Sequence, residues 1–362
     1  MQRTSYALLL VRVSVLVLTL AAAGITVTGP PVAAADTLDG IPFAHASAAL
    51  PYRETRISPR NLVASVWSRS MDTQVPVLVQ SPANRNPGAP VMYLLNGSSG
   101  GEHGDDWTHA TDANAFYGAK NVWTVTPIGG AASYYADWQR VDPAANFRFG
   151  VKTTRPLRWE TFVTSELPAA FERAHGRPGP GRSRGIAGIS MSGTSVVRIA
   201  ENHPGMYRAV GAYSGCAETA SVQGQLMVRI VTGLPDGADA SNMYGPPGDP
   251  EWAAQDPIIN AHKLARRTPA LWISAATGLP GDHDNLADRR IAGNGGRLAQ
   301  QVVVGGLDEV AARYCTDALA RRLGQLHIPA TVRFPATGTH SWGYWQDQMH
   351  ASWPMFARAL GA

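Results

Sequence analysis

The stretch that most limits what this chain can fold into is RGIAGISMSGTSVVRIAENHP, residues 184–204. Arg184 to Gly188 is small and largely apolar, the composition of a buried strand. Thr194 to Asn202 reads as a helix that stops near His203, because Pro204 disfavours helical geometry in the residue before it. Only a tight turn fits between them, and a strand, a sharp turn and a helix lift one serine hydroxyl above a sheet as an exposed nucleophile. Such a turn brings strand and helix backbones together, so it needs small residues two before and two after that serine. Gly188 and Ser192 meet this need around Ser190, with Gly193 following, although the strict Gly-x-Ser-x-Gly pattern is not kept. Centring the motif on Ser192 puts Ser190 and Thr194 at those positions, a poorer steric fit, and Ser195 already lies inside the helix. Serines before helices often only cap them, so a catalytic Ser190 needs partners elsewhere in the chain.

Strand-like runs recur at 76–80, 90–95, 122–127, 186–188, 209–213, 270–275 and 330–334, and helix-like stretches at 159–173, 195–202 and 308–323 fall between several of them. That alternation predicts an α/β fold: a mostly parallel central sheet with helices on both faces. Residues 222–257, rich in Gly, Pro and Asp, are expected to form an irregular excursion near the site. If helical, the segment would set Met227, Ile230, Val231 and Leu234 on one face, which with Leu226 could wall a groove for an apolar chain. The first 35 residues have an early arginine, a long apolar stretch and a small-residue end at Ala33-Ala34-Ala35, the pattern of a secretory signal peptide, with an uncleaved anchor as the alternative. Residues 36–362 then suit one large domain.

Cys216 and Cys315 are the two cysteines, and in an exported chain a single disulfide between them is the simplest inference. It would clamp the helix around 309 to the sheet edge near Ser190. The net charge of +4 comes without a dense Lys/Arg run or an aromatic-basic alternation, so no nucleic acid is expected, and the excess suits a solvated surface or weak peripheral attraction to an anionic cell envelope. No zinc spacing, phosphate-binding glycine loop or calcium loop is found, and the chemistry falls to ordinary side chains without a cofactor. The oligomeric state is left open.

Five histidines lie well downstream of Ser190: His262, His283, His327, His340 and His350. His340 follows the strand ATVRF and the turn PATG, which sets it on a loop at a strand's carboxyl end, whereas His327 precedes that strand and His350 reads as helical surface. His340 is therefore the candidate base. For the acid, Asp282 and Asp284 follow the strand ALWISAA, and Asp308 and Glu309 stand in GGLDEVAARYCTDAL; a helix starting there would use Asp308 as its N-cap and leave Glu309 free to reach His340. The N–H of Met191 is one candidate oxyanion donor, and the loop after YLLNG at 93–97 can supply another.

Six blocks, YLLNG at 93–97, TPIGGAASYYADW at 126–138, WETFVTSELP at 159–168, GISMSG at 188–193, NMYGPPGDPEW at 242–252 and GTHSWGYW at 338–345, resemble in order and spacing the antigen 85 / trehalose mycolyltransferase family. SGC at 214–216 and CT at 315–316 resemble its corynebacterial-type branch. The resemblance implies a cofactor-free α/β-hydrolase fold and transfer of a mycolyl group from trehalose monomycolate to trehalose or to cell-wall arabinogalactan. It implies Ser190 as nucleophile, His340 as base, Glu309 as the acid by residue type, and the amides of Ser98 and Met191 as oxyanion donors. It also implies Ser341 and Trp342 as lining the sugar and acyl site, with Asn96 and Ser99 where the family carries a trehalose-holding aspartate and arginine. Two other readings are kept: a secreted serine carboxylesterase of esterase D type, and an inactive envelope binding protein on a hydrolase scaffold.

Overall fold

A computed structural model describes residues 37–38, 41–84, 86, 88–145, 147–148, 151–152, 154–176 and 183–362. The expected signal segment, 1–35, lies outside the described residues. Among these, nine strands form the central sheet: β1 (Tyr52–Arg56), β2 (Asn61–Ser68), β3 (Thr73–Gln80), β4 (Val91–Leu95), β5 (Trp123–Pro127), β6 (Arg184–Ile189), β7 (Ala209–Tyr213), β8 (Ala270–Ser274) and β9 (Thr331–Arg333). Their spatial order is β9-β8-β7-β6-β4-β5-β3-β2-β1. The run from β9 to β5 is parallel, and β3, β2 and β1 extend it antiparallel at one edge.

Because successive side chains on a strand point to opposite faces, the apolar strands feed two cores. Val91, Tyr93 and Leu95 of β4, with Val210 and Ala212 of β7, join one core that takes in α1 (Leu167–Ala174) through Leu167 and Phe171 and α2 (Met191–Asn202) through Val196, Val197 and Ile199. Met92 and Leu94, with Ala209 and Tyr213, join the other, closed by Trp345, Met349 and Phe356 of α5 (Trp342–Leu360). Helices thus cover both faces, as expected. Each large side chain sealed in this way contributes about 1.5–3 kcal/mol of transfer free energy.

Two expectations are corrected. The segment 222–257 is not irregular but carries α3 (Val222–Asp236) and short helices at Ala240–Tyr244, Pro250–Ala254 and Pro257–Asn260. Ser221, Asp239, Asp249 and Asp256 accept the first-turn amides of these helices, so the polar residues that suggested loops are caps. On α3, Val228 is buried, Met227, Ile230 and Val231 are half-buried with Val231 packed against the core, and Leu226 is exposed, while the Leu234 side chain lies outside what the structure describes. The helix around residue 309, α4 (Gly295–Gln325), does not begin at Asp308 but is capped by Asn294, which accepts from the Arg297 N–H at 3.0 Å.

Candidate active site

Parallel strands present their carboxyl ends along one edge of the sheet, and the loops that leave β4, β6, β7, β8 and β9 meet there. Ser190 directly follows β6, with φ 52° and ψ −124°, a left-handed geometry that a non-glycine residue adopts only under constraint. The constraint comes from close packing: a Cβ at Gly188 would sit 2.5 Å from the Ser192 carbonyl oxygen, so the strand can meet the helix only through glycine. The three serines separate cleanly. Ser192 Oγ is buried, accepting from the Ile189 N–H at 2.9 Å and lying 2.9 Å from the Leu95 carbonyl; Ser195 Oγ donates to the Tyr134 carbonyl at 2.6 Å. Ser190 Oγ donates to His340 Nε2 at 2.7 Å.

His340 Nδ1–H in turn donates to Glu309 Oε2 at 2.8 Å. The other carboxylate oxygen of Glu309 accepts from Ser214 Oγ (2.9 Å) and from the Ala276 N–H (2.6 Å), so this almost fully buried acid is aimed by groups at the ends of β7 and β8. Burial pulls the His340 pKa down, but the hydrogen bond and charge of Glu309, with the charge of Asp308, outweigh it and hold the imidazole above its usual value of 6.5. Asp308 itself makes no hydrogen bond to His340, and burial pushes its pKa up. Asp284 accepts from Thr339 Oγ1, Tyr344 OH, Gln301 Nε2 and the Gly281 N–H, which leaves it beneath the histidine loop rather than on the imidazole. Asp282 stands apart from the imidazole, its backbone carbonyl accepting from Asn285 Nδ2. The backbone of the loop closes on α4: the His340 N–H donates to the Gly305 carbonyl at 2.9 Å, and a Cβ at Gly306 would lie 2.9 Å from the Gly278 carbonyl oxygen.

The early loop passes close to Ser190, since a Cβ at Gly97 would come within 3.8 Å of Ser190 Cβ. The Gly97 carbonyl accepts from the Gly100 N–H, which turns the Ser98 N–H the opposite way, and the Ser98 carbonyl accepts from the Ala132 N–H at 2.9 Å. Ala132, Tyr134 and Tyr135 all have positive φ, so the loop that supports Ser98 is itself strained. Arg198 of α2 holds it by donating to the Tyr135 carbonyl at 2.8 Å and the Tyr134 carbonyl at 3.3 Å. Glu160 lies 3.1 Å from the same guanidinium; burial raises its pKa, but the Arg198 charge and the hydrogen bonds from His203 and Asn202 bring it to about 2.

Two of the residues expected to line the site turn inward. Asn96 is wholly buried, with Nδ2 donating to the Pro127 carbonyl and Oδ1 accepting from the Trp107 N–H, so it braces the loop and cannot meet a substrate. Ser341 is nearly buried, with its hydroxyl 3.4 Å from Thr339 Oγ1. Ser99 and Trp342 remain partly open to solvent, and the Trp342 indole N–H donates to Asp105 Oδ1 at 2.6 Å. Sequence reasoning missed Ser214, Arg198 and Asp105; only the position of Ser214, directly after the strand AVGAY, could have marked it. The expected disulfide is present: Cys216 and Cys315 are joined at an S–S distance of 2.01 Å.

A family model described as "Putative esterase" matches residues 68–356. The chain is 32% identical over 298 residues to the diacylglycerol acyltransferase/mycolyltransferase Ag85A of Mycobacterium tuberculosis H37Rv, covering 82% of this chain and 80% of that one. It is 31% identical to Ag85B of Mycobacterium intracellulare, covering 82% of each chain. Among solved structures, Mycobacterium tuberculosis MPT51 superposes with a TM-score of 0.63 at 22% identity, covering 81% of this chain and 96% of that one. The S-formylglutathione hydrolase of Agrobacterium tumefaciens shares the fold with a TM-score of 0.57 at 15% identity, covering 85% and 98%. With sequence similarity over most of both chains and the sheet, elbow and site edge described above, this chain belongs to the antigen 85 mycolyltransferase family, on an α/β-hydrolase fold.

Proposed function

We propose that the protein is a serine acyltransferase that moves a mycolyl group from trehalose monomycolate to trehalose or arabinogalactan through an acyl-Ser190 intermediate. The observation that carries this reading is the relay from Ser190 Oγ through His340 to the buried Glu309, in a chain similar over 82% of its length to a mycolyltransferase. His340 Nε2 takes the Ser190 proton as Oγ attacks the ester carbonyl, and Glu309 orients the imidazole and stabilises its protonated form. The amides of Ser98 and Met191 hold the oxyanion. The tetrahedral intermediate then expels the sugar oxygen, which leaves with the proton from His340. In the second half an incoming hydroxyl gives its proton to His340 and attacks the acyl-serine, and Ser190 leaves with that proton.

Residues 36–362 would act as one domain exported by a cleaved segment at 1–35, and the Cys216–Cys315 bridge supports an oxidising destination. No helix among the described residues is long and apolar enough to cross a membrane. Incubation with a radiolabelled acyl-trehalose donor tests the reading: labelled sugar ester as the main product supports transfer, and free acid alone supports the carboxylesterase. A serine-directed fluorophosphonate that fails to label the protein would make it a binding protein instead.

A further inference from the structure

A transferase must favour a sugar hydroxyl over water at the acyl-enzyme, and that requires polar groups at the rim of the site to hold the acceptor. In the stretch 96–101 the side chains that could do so are spent or neutral: Asn96 is buried with both ends of its carboxamide in use, and Ser99 Oγ accepts from the Gly101 N–H and lies 3.4 Å from the Asp105 carbonyl. Asp105, farther along the same loop, is exposed, and its Oδ1 accepts from the Trp342 indole N–H at 2.6 Å. No hydrogen bond is made by its Oδ2 among the described residues. The contact joins the loop carrying Ser98 to the residue two beyond His340, so the carboxylate and indole bridge the two loops that flank Ser190. The indole is fixed further by edge-on contacts with Trp107 at 5.5 Å and Trp345 at 5.2 Å between centroids, and Trp345 meets the His340 ring at 5.0 Å.

Resting on the transferase reading, we infer that Asp105 is the residue that selects a hydroxyl-rich acceptor. Its Oδ2 accepts a hydrogen bond from a pyranose hydroxyl other than the attacking one, while the Trp342 face it holds receives the apolar face of the ring. Water gains nothing from either contact. An anchored sugar hydroxyl gains effective concentration at the acyl-serine, so Asp105 acts on partitioning more than on acylation.

The test uses the full-length protein, p-nitrophenyl octanoate as donor, and trehalose or glucose as acceptor, following the nitrophenol burst and the ratio of sugar ester to free acid. In Asp105→Asn the half-saturating acceptor concentration should rise at least tenfold while a burst continues. Trp342→Phe, which loses the indole donor but keeps the carboxylate, should raise it less. Equal rises in the two variants would make Asp105 a brace for Trp342, and a rise below twofold in Asp105→Asn would overturn the inference outright. If Asp105→Asn gives no burst, Asp105→Glu, which keeps the charge, decides: a burst with acceptor dependence within threefold of the wild type supports the inference, and loss of that dependence overturns it. A wild-type protein that bursts and hydrolyses but never transfers would fail the transferase reading and this inference together, whereas transfer insensitive to Asp105 fails this one alone.

Discussion

Behind Ser190, helix α2 and the loop 128–138 are joined by a buried guanidinium, Arg198, that binds the carbonyls of Tyr134 and Tyr135 and pairs with Glu160. Beyond His340, the segment 277–294 is joined to α4 and α5 at partly open positions, through Asp284 on Gln301 and Tyr344 and through His283 between Asp288 and Asp347, with Thr339, which also donates to Asp284, the buried exception. The two sides therefore fail differently. A polar group removed from the sealed side leaves partners that water cannot reach, and folding suffers. One removed from the open side leaves mostly partners that water can serve, so the damage falls chiefly on where the imidazole stands.

The largest effect tests the point where the sides meet. Ser190→Ala should lower kcat/KM by about 10⁴-fold or more and abolish fluorophosphonate labelling with an unchanged melting curve. Ser192→Ala should keep the label but lose about 1–3 kcal/mol of stability, because the Ile189 N–H loses its acceptor. Comparable loss of labelling in both would end the assignment of Ser190.

Next comes the acid. Glu309→Gln should cost about 10³–10⁴-fold in kcat. The Ser214 and Ala276 donors would hold the amide oxygen, leaving the NH₂ toward His340 Nδ1; the imidazole proton then sits on Nε2, which can no longer accept from Ser190. In the wild type kcat/KM should fall as pH drops through the raised His340 pKa, and this limb should move to lower pH in Glu309→Gln, since the carboxylate that raised the pKa is gone. An unmoved limb would mean that another group titrates.

On the sealed side, Arg198→Met should cost about 3–5 kcal/mol by uncovering Glu160 and two carbonyls, read as a fall in denaturant midpoint. Glu160 adds an acid dependence: its folded pKa of about 2 lies below the ordinary 4.5, so its contribution is complete above 4.5 and is lost as pH falls toward 2. The smallest effect belongs to the open side. Asp284→Asn should lower kcat about tenfold through misplacement of the histidine loop, with KM and melting temperature nearly constant. A large stability loss there would erase the contrast.

What could be read from the chain follows the same division. The strand at Ala209–Tyr213 and the turn at Ser190 are visible because apolar runs and glycines are local signals, and His340 stands out because its loop follows a strand. The first part of α4 is hidden because Gly295, Gly296, Gly305 and Gly306 each oppose helix by about 1 kcal/mol; Gly306 is there for the close approach of Gly278, a tertiary demand. Arg198 looks like surface charge on an amphipathic helix, and its burial depends on Glu160 and on carbonyls more than sixty residues away in sequence. Asn96 looked like an altered sugar contact, and only the Trp107 N–H and the Pro127 carbonyl reveal it as a brace.

The positive-φ residues Ala132, Tyr134 and Tyr135 carry a consequence for the order in which the molecule assembles. Their conformation is unfavourable locally and is held by Ser195 and Arg198, so the loop supporting Ser98 can reach its native form only after α2 has docked and a long loop has closed. The sheet also joins residues distant in sequence, as where Arg184–Gly188 pairs with Val91–Leu95, but its ladder does not depend on these three strained residues. Contacts made after the rate-limiting barrier alter unfolding rather than folding, so Arg198→Met should quicken unfolding while leaving the refolding rate close to that of the wild type, and refolding chains should regain native sheet signal before they regain covalent labelling at Ser190.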